Sequence, residues 1–183
     1  LAKFSGKKKS YLSIYLNNHL NKKNIYLLRK GWYSFIDVDK FLLSKTFPNT
    51  YISLSSAIEF YGFSTQRHIN LELHSLNQKK SQQLLDWRID FIKIKKNNFF
   101  GYKKEMYLGH EILIVDKEKL LIDCLMSQKN VSLEETKELL TKIVHDLNLD
   151  KLKTYLEKIN TFTLNKRIGY LLEKENIKIT LNI

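Results

Sequence analysis

The chain of 183 residues contains little cysteine, proline or glycine, with one, one and six residues of each type, respectively. Its lone cysteine, Cys124, rules out a disulfide framework and suits a reducing compartment. The scarcity of glycine and proline excludes a collagen-like or low-complexity chain. Apolar runs are also short, well below the roughly 18 to 20 residues that span a membrane. We therefore expect a cytoplasmic protein without membrane contact.

Acidic residues are missing from the first 36 positions, and the first acid in the sequence is Asp37. Eight basic residues occupy that stretch: Lys3, Lys7, Lys8, Lys9, Lys22, Lys23, Arg29 and Lys30. They supply most of the formal net charge of +12. Such a one-sided charge predicts a polyanionic partner, above all double-stranded DNA. The alternative is an unstructured basic arm.

The pattern of residues 8–22 predicts a helix, because Leu12, Leu16 and Leu20 recur every four residues. Neighbouring residues are expected to widen its apolar side: Tyr11, Ile14 and Tyr15. Two short strands, 24–28 and 32–36, then flank Arg29-Lys30-Gly31, a sequence suited to a tight turn. A helix followed by a hairpin with a basic tip is typical of the second half of a winged helix-turn-helix.

In a winged helix the second helix of the motif enters the major groove. Its first lysines would contact phosphates, its serines and Asn17 would read base edges, and the hairpin tip would reach a minor groove or the backbone. The predicted DNA-binding residues are Lys7, Lys8, Lys9, Ser10, Tyr11, Ser13, Asn17, Arg29 and Lys30. A plain solvated helix face is the alternative for the polar residues, and RNA is the rival polyanion.

The segment Thr46-Phe47-Pro48-Asn49 breaks the pattern and predicts a boundary between domains 1–45 and 46–183. A short helix capped by Asp37 precedes it, and a helix over 51–61 follows it. Later alternating runs predict four strands in a largely antiparallel sheet: 68–76, 84–95, 99–107 and 111–115.

The last third of the chain shows helical patterns. Asp116 is expected to cap a helix through about 128, and Ser132 with Glu135 forms a capping box for a second helix to about 147. Further helices are predicted at 150–159 and 164–174, with a final edge strand at 177–183. The predicted class is α+β: an N-terminal winged helix-turn-helix, clipped at its start, and an α/β C-terminal domain with a mainly antiparallel sheet and several C-terminal helices.

Catalytic and metal motifs are absent from the sequence. His68 and His74 share a face of one predicted strand, without partners at zinc-ligand spacing. Asp86, Asp90 and Lys93 approach a nuclease motif in residue type, but their spacing is wrong for it. On the helix after Asp116, Cys124 is expected in the core, and Asp123 is expected to bond to a neighbouring helix end. We therefore predict no enzymatic activity, no cofactor and no metal.

Basic residues are also frequent in the predicted sheet. They form a candidate second basic surface that would extend a DNA footprint or screen a toxin's substrate: Lys79, Lys80, Arg88, Lys93, Lys95, Lys96, Lys103 and Lys104. The alternative is an ordinary solvated face.

Several stretches together resemble the AbiEi-type antitoxins, the regulator half of abortive-infection toxin–antitoxin pairs. They are LLRKGWYSF (27–35), YISLSSAIEFYGF (51–63), FIKIKKNNFFGY (91–102), ILIVDKEKLLIDCL (112–125) and KRIGYLLE (166–173). Lys117 and Leu120 depart from that family, which often has proline and alanine there. Because the chain starts at Leu1 without methionine, we expect the first helices of the winged-helix domain to be missing.

The resemblance implies a transcriptional autorepressor that binds inverted repeats in its own promoter and takes part in phage defence. It also implies that the C-terminal domain opposes a cognate nucleotidyltransferase-like toxin, with or without direct contact. Two alternatives stay open: a nucleic-acid-processing, nuclease-like enzyme, and a pure protein-interaction module.

Overall fold

The computed structural model describes residues 9–21, 25–34, 38–64 and 68–177. These residues form seven α-helices, a two-stranded hairpin and a six-stranded sheet, which confirms the predicted α+β class. Lys7, Lys8 and the predicted final strand beyond residue 177 lie outside the described residues. Within those ranges, no helix combines the length and apolar content needed to cross a membrane.

The N-terminal elements follow the predicted order. Helix α1 spans Lys9–Asn21, and strands β1 (Tyr26–Arg29) and β2 (Trp32–Ser34) pair antiparallel. Arg29 pairs with Trp32, so Lys30 and Gly31 form the turn. Gly31 has φ +86°, a left-handed conformation that glycine adopts without a steric penalty. The predicted helix and hairpin are confirmed.

A short helix, α2 (Lys40–Leu43), continues as a 3₁₀ turn over Ser44–Thr46. Its N-cap is Asp39, whose carboxylate accepts a hydrogen bond from the Phe41 amide at 2.9 Å. The expected cap, Asp37, lies outside the described residues. Phe41 and Leu43 belong to the same hydrophobic core as the sheet, so this core extends across the predicted boundary at residue 46.

The six-stranded sheet has the order β5-β6-β4-β3-β8-β7. Its strands are β3 (Thr50–Ile52), β4 (Asn70–Ser75), β5 (Gln82–Leu84), β6 (Trp87–Lys93), β7 (Tyr102–Tyr107) and β8 (His110–Val115). The β4–β6 and β3–β8 pairs are parallel, and the other three pairs are antiparallel. The sheet is therefore mixed rather than mainly antiparallel, because chain crossovers bring β6 beside β4 and β8 beside β3.

Strand β3 corrects the prediction of a helix over 51–61. The helix, α3, spans only Leu54–Phe60, and Tyr51 and Ile52 lie in the strand before it. All three residues of β3 are buried, because the strand lies between β4 and β8 in the middle of the sheet. Such a strand lacks the alternation of a half-exposed one, so a short apolar run does not distinguish it from a helix.

Four helices complete the chain: α4 (Lys117–Met126), α5 (Leu133–Ile143), α6 (Leu149–Ile159) and α7 (Phe162–Lys174). The Asp116 carboxylate accepts from the Lys119 amide at 2.9 Å, and Ser132 and Glu135 exchange both bonds of a capping box. These predicted helix starts are confirmed. Residues 118–125 of α4 are all buried, including Cys124, because α4 packs against α3, α5, α6 and α7.

Candidate nucleic-acid interface

Helix α1 presents an uncharged polar face to solvent. Ser10, Ser13 and Asn17 are exposed, and at about 100° per residue they lie within about 60° of one another around the helix axis. Leu12 and Leu16 lie about 200° and 240° around the axis from Ser10 and are partly buried. The exposed side of the helix therefore carries short side chains with hydrogen-bonding groups.

The residues expected to widen the apolar side of α1 are instead exposed. Tyr11, Ile14 and Tyr15 expose 54%, 63% and 45% of their surface, respectively. Ile14 lies about 40° from Ser10 around the axis, on the polar face, so its methyl groups stand among the serines and Asn17. The expectation was wrong because the stripe is as narrow as a single row of leucines. Apolar side chains can contact thymine methyl groups, so this placement adds Ile14 to the candidate interface.

The hairpin tip carries two cations in different settings. Lys30 is exposed in the turn. Arg29 is also exposed as a residue, but its guanidinium donates a hydrogen bond to the Thr46 carbonyl oxygen at 2.8 Å. Its central carbon lies 5.4 Å from the centre of the Phe47 ring. Arg29 therefore fastens the hairpin to the segment that follows α2.

Lys79 meets Arg29 at the same ring. Its ammonium lies 5.9 Å from the centre of Phe47 and 5.1 Å from the centre of Phe91, and it donates to the Pro48 carbonyl at 3.3 Å. Partial burial, followed by the nearby charge of Arg29, holds the pKa of Lys79 below its usual value. Two cations from separate parts of the chain thus form one positive surface beside the hairpin.

The structure does not gather the candidate second basic surface into one cluster. Three of its members form local ion pairs: Arg88 with Asp90 at 2.9 Å, Lys103 with Glu105 at 2.7 Å, and Lys104 with Glu111 at 2.9 Å. Strands β6 and β7 are separated by three others, which puts them about 19 Å apart. The remaining members divide between the Phe47 region, where Lys79 lies, and a cavity lined by Lys93 and Lys95, while Lys80 and Lys96 are exposed.

Among the predicted phosphate-contacting lysines, Lys9 is the first residue of α1, while Lys7 and Lys8 lie outside the described residues. Asp90, considered for a nuclease site, is held by Arg88. Lys93 faces a different feature, the cavity, so these two residues form no visible pair.

The sequence analysis anticipated only one bond of a buried polar cluster. Asp123 lies at its centre: Lys119 contacts Oδ1, and Oδ2 accepts from Ser53 Oγ at 2.9 Å and lies 3.2 Å from His74 Nδ1. Ser53 is the N-cap residue of α3, which confirms the expected bond to a neighbouring helix end. The available signal was the spacing of Lys119 and Asp123, four residues apart on a helix that is otherwise largely apolar.

No protein-family model matches the chain, and no curated protein matches it either. The functional inference therefore depends on the charges, exposure and contacts of the described residues.

Proposed function

We propose that the chain is a DNA-binding transcriptional autorepressor and antitoxin of the AbiEi type, without enzymatic activity. In this proposal α1 is the recognition helix and the β1–β2 hairpin is the wing of a winged helix-turn-helix. The observation that carries the proposal is the exposed polar face of α1, followed in the chain by a hairpin with a basic tip, in a stretch of sequence without acids. The partner is an inverted repeat in the protein's own promoter, in the cytoplasm.

Physical chemistry supports this assignment of roles. Lysines at the start of α1 would neutralise phosphates and release counterions, which gives affinity without sequence preference. The polar face offers an amide for adenine at Asn17 and an aliphatic group for a thymine methyl at Ile14. Arg29 and Lys79, with no ion pair among the described residues, add positive charge where the hairpin joins the sheet.

Binding can be measured by fluorescence anisotropy with a duplex from the gene's own promoter, titrated at several salt concentrations. Lys8→Ala with Lys9→Ala should weaken binding to every sequence alike and reduce the salt slope by about two. The matched control is Lys103→Ala with Lys104→Ala, which removes two charges that are already ion-paired. If both double variants reduce the salt dependence of binding equally, the effect reports only the net charge of the protein. The proposed interface at α1 would then be wrong.

Asn17→Ala tests base reading on the same helix face. It should lower affinity for the promoter duplex by about 1–3 kcal/mol while leaving a scrambled duplex unaffected. Asn18→Ala is the control, because Asn18 is an exposed neighbour about 100° around the helix. Equal losses on promoter and scrambled duplexes would remove the readout role of Asn17.

The antitoxin function requires co-expression with the nucleotidyltransferase-like toxin. Removing residues 1–45 is a poor test, because Phe41 and Leu43 of α2 lie in the hydrophobic core. The Lys8→Ala, Lys9→Ala variant keeps that core. We expect it to lose autorepression, read from a promoter fusion, and to retain relief of toxicity. Loss of both functions together would mean that DNA binding and neutralisation share one surface.

A pure interaction module is the second candidate, and an apolar groove favours it. A depression of about 310 Å³ lies between the hairpin and the β7–β8 turn, and its lining includes Leu28, Trp32, Leu42 and Leu108. Leu108 is 68% exposed, which is unusual for a large apolar side chain. If Leu108→Lys abolishes relief of toxicity while promoter affinity is unchanged, direct contact with the toxin at this groove is supported.

A further inference from the structure

A cavity of about 420 Å³ lies beside the carboxyl ends of β4 and β6, which are parallel neighbours. His74 comes from β4, Lys93 ends β6, and Asp123, Lys158 and Thr161 come from α4, α6 and the start of α7. The carboxyl ends of parallel strands are a common place for ligand sites, because side chains and loops from several elements converge there. The cavity volume falls within the range of small-molecule pockets.

His74 is fixed at the inner side of this cavity. It is 1% exposed, and its Nδ1 lies 3.1 Å from the Tyr51 hydroxyl and 3.2 Å from Asp123 Oδ2. Although burial by itself raises the pKa of Asp123, His74 and Lys119 outweigh that effect and hold the pKa below its usual value. A carboxylate at Asp123 favours the His74 tautomer in which Nδ1 carries the hydrogen, because Oδ2 can then accept it.

The opposite ring nitrogen of His74 has no partner. Nε2 is buried, and it makes no hydrogen bond among the described residues. Buried polar atoms are almost always hydrogen-bonded, so such an exception asks for an explanation. Because Nδ1 is held by Tyr51 and Asp123, a group that satisfies Nε2 has to approach from the other edge of the ring, and His74 lines the cavity.

The cavity rim is strongly positive. Lys93, Lys95 and Lys158 are exposed, and within the described residues they form no ion pair. The one acidic side chain of the lining, Asp123, is already balanced by Lys119. Hydroxyl and amide groups add further donors: Ser127, Thr161, Asn97 and Asn98.

Helix termini contribute partial charges of both signs to the cavity. The N-terminus of α7 lies at the cavity, with no side-chain cap from Thr161 and no acid in its first turn. The C-termini of α4 and α6 also lie there, at Ser127 and Ile159. Each terminus amounts to about half an elementary charge, so their net contribution is small beside the three full charges of the lysines.

We propose that this cavity binds a phosphorylated small molecule of about nucleotide size, with its phosphate at Lys93, Lys95 and Lys158 and a polar group bonded to His74 Nε2. A macromolecular polyanion fits less well. Rim lysines serve any phosphate, but an almost completely buried ring can be reached only by a group small enough to enter the cavity. The site is separate from α1 and the hairpin, so a failure of this proposal can be distinguished from a failure of the proposed DNA binding.

The test is isothermal titration of the full chain with four probes: adenosine monophosphate, inorganic phosphate, adenosine, and a single-stranded 12-mer. We expect saturable binding of the monophosphate, weaker binding of phosphate, and none of adenosine. A long-range ¹H–¹⁵N spectrum should show the His74 Nε2 resonance moving with the monophosphate. Binding of adenosine as tight as that of the monophosphate, or displacement of the bound monophosphate by the 12-mer at lower concentrations than inorganic phosphate requires, would overturn the proposal.

Two variants separate the two parts of the site. His74→Asn places an amide nitrogen where Nδ1 lies and deletes Nε2, so the internal bonds can persist while the cavity loses its polar atom. His74→Asn should weaken binding of adenosine monophosphate about tenfold. Lys93→Gln, Lys95→Gln and Lys158→Gln combined should weaken it at least as much, because hydrogen bonds to charged groups are stronger.

The matched control for the triple variant is Lys129→Gln, Lys137→Gln and Lys166→Gln, which removes three exposed charges that do not line the cavity. It should bind the monophosphate within about twofold of the wild type. Equal weakening by both triple variants, or wild-type affinity in His74→Asn, would overturn the site. Near-ultraviolet circular dichroism verifies folding, and should His74→Asn fail to fold, the rim variants and the resonance shift still decide the question. Absence of saturable binding by either phosphate probe at about 10 mM would also refute it.

Discussion

Replacing Asp123 with asparagine removes the carboxylate that Lys119 contacts while nearly preserving side-chain volume. Lys119 is fully buried, at 0% exposure, and its ion pair among the described residues is with Asp123. The variant therefore leaves an ammonium in the core without a counter-charge. Breaking a buried pair in this way costs about 3–5 kcal/mol of folding free energy.

An independent bound agrees with that figure. A buried lysine can avoid carrying an unbalanced charge by releasing its proton. Starting from the ordinary lysine pKa of about 10.4, deprotonation at pH 7 costs about 4.6 kcal/mol. The folding free energy lost in Asp123→Asn therefore cannot greatly exceed that amount. With a urea m-value of about 2 kcal/mol/M, the unfolding midpoint should fall by about 1.5–2.5 M.

Acidity provides a second readout of the same variant. Because the pKa of Asp123 is held below its usual value in the folded state, the unfolded chain takes up the proton first as pH falls. The stabilisation by the Asp123 carboxylate is complete above the pKa of about 3.9 that the group has in the unfolded chain. It is lost as pH falls through the lower pKa of the folded state. The difference in unfolding free energy between the wild type and Asp123→Asn should be constant near neutrality and should become smaller below about pH 4.

The double variant Lys119→Met, Asp123→Asn gives the decisive comparison. If unbalanced charge is the cause, removing both charges should restore part of the stability that Asp123→Asn loses. The surface pair Lys104→Met, Glu111→Gln is the control, with an expected change under about 1 kcal/mol. A double variant no more stable than Asp123→Asn would refute the reasoning and assign the loss to hydrogen bonds with Ser53 and His74.

Two further predictions use matched pairs in urea unfolding. A Cβ at Gly101, with φ +71°, would lie 2.7 Å from the Cβ of Lys119, whereas one at Gly62, with φ +73°, would meet nothing within 4 Å. Gly62→Ala should cost about 1–2 kcal/mol and Gly101→Ala about 1–3 kcal/mol more, and equal costs would contradict the steric argument. Ser132→Ala should cost about 1 kcal/mol through loss of the capping box, while Thr161→Ala, at an N-cap without a side-chain bond, should cost less than about 0.5 kcal/mol; the reverse ranking would contradict it.

Local signals explain why the C-terminal helices could be predicted so closely. The Ser132–Glu135 box and the Asp116 cap bond to amides three residues away, so the information lies within one helical turn. Strand β3 had no such signal, because its three residues are buried on both faces of the sheet. Strand order likewise depends on pairings between distant segments, such as Ile52 with Ile114, which no local pattern encodes.

The same distinction applies to the candidate sites. The exposed polar residues of α1 follow from helical periodicity, so the sequence was sufficient to group Ser10, Ser13 and Asn17. Tyr51 and Asp123 are 72 positions apart, and only the folded chain brings them to within hydrogen-bond reach of His74. A histidine in a strand is unremarkable as a sequence feature. What distinguishes His74 is that one ring nitrogen is satisfied while the other is buried without a partner.

The contacts around Phe47 connect the candidate DNA surface to the sheet. Arg29 contacts this ring from the hairpin and Lys79 from the loop after β4, and their mutual repulsion helps to lower the pKa of Lys79. Aromatic rings attract cations by about 0.5–1 kcal/mol at exposed sites, which offsets part of the repulsion but supplies no negative charge. A bound phosphate would balance both cations, so duplex DNA would be expected to favour the protonated form of Lys79. In the proposed complex, the ring that anchors the hairpin would also position it for a polyanion.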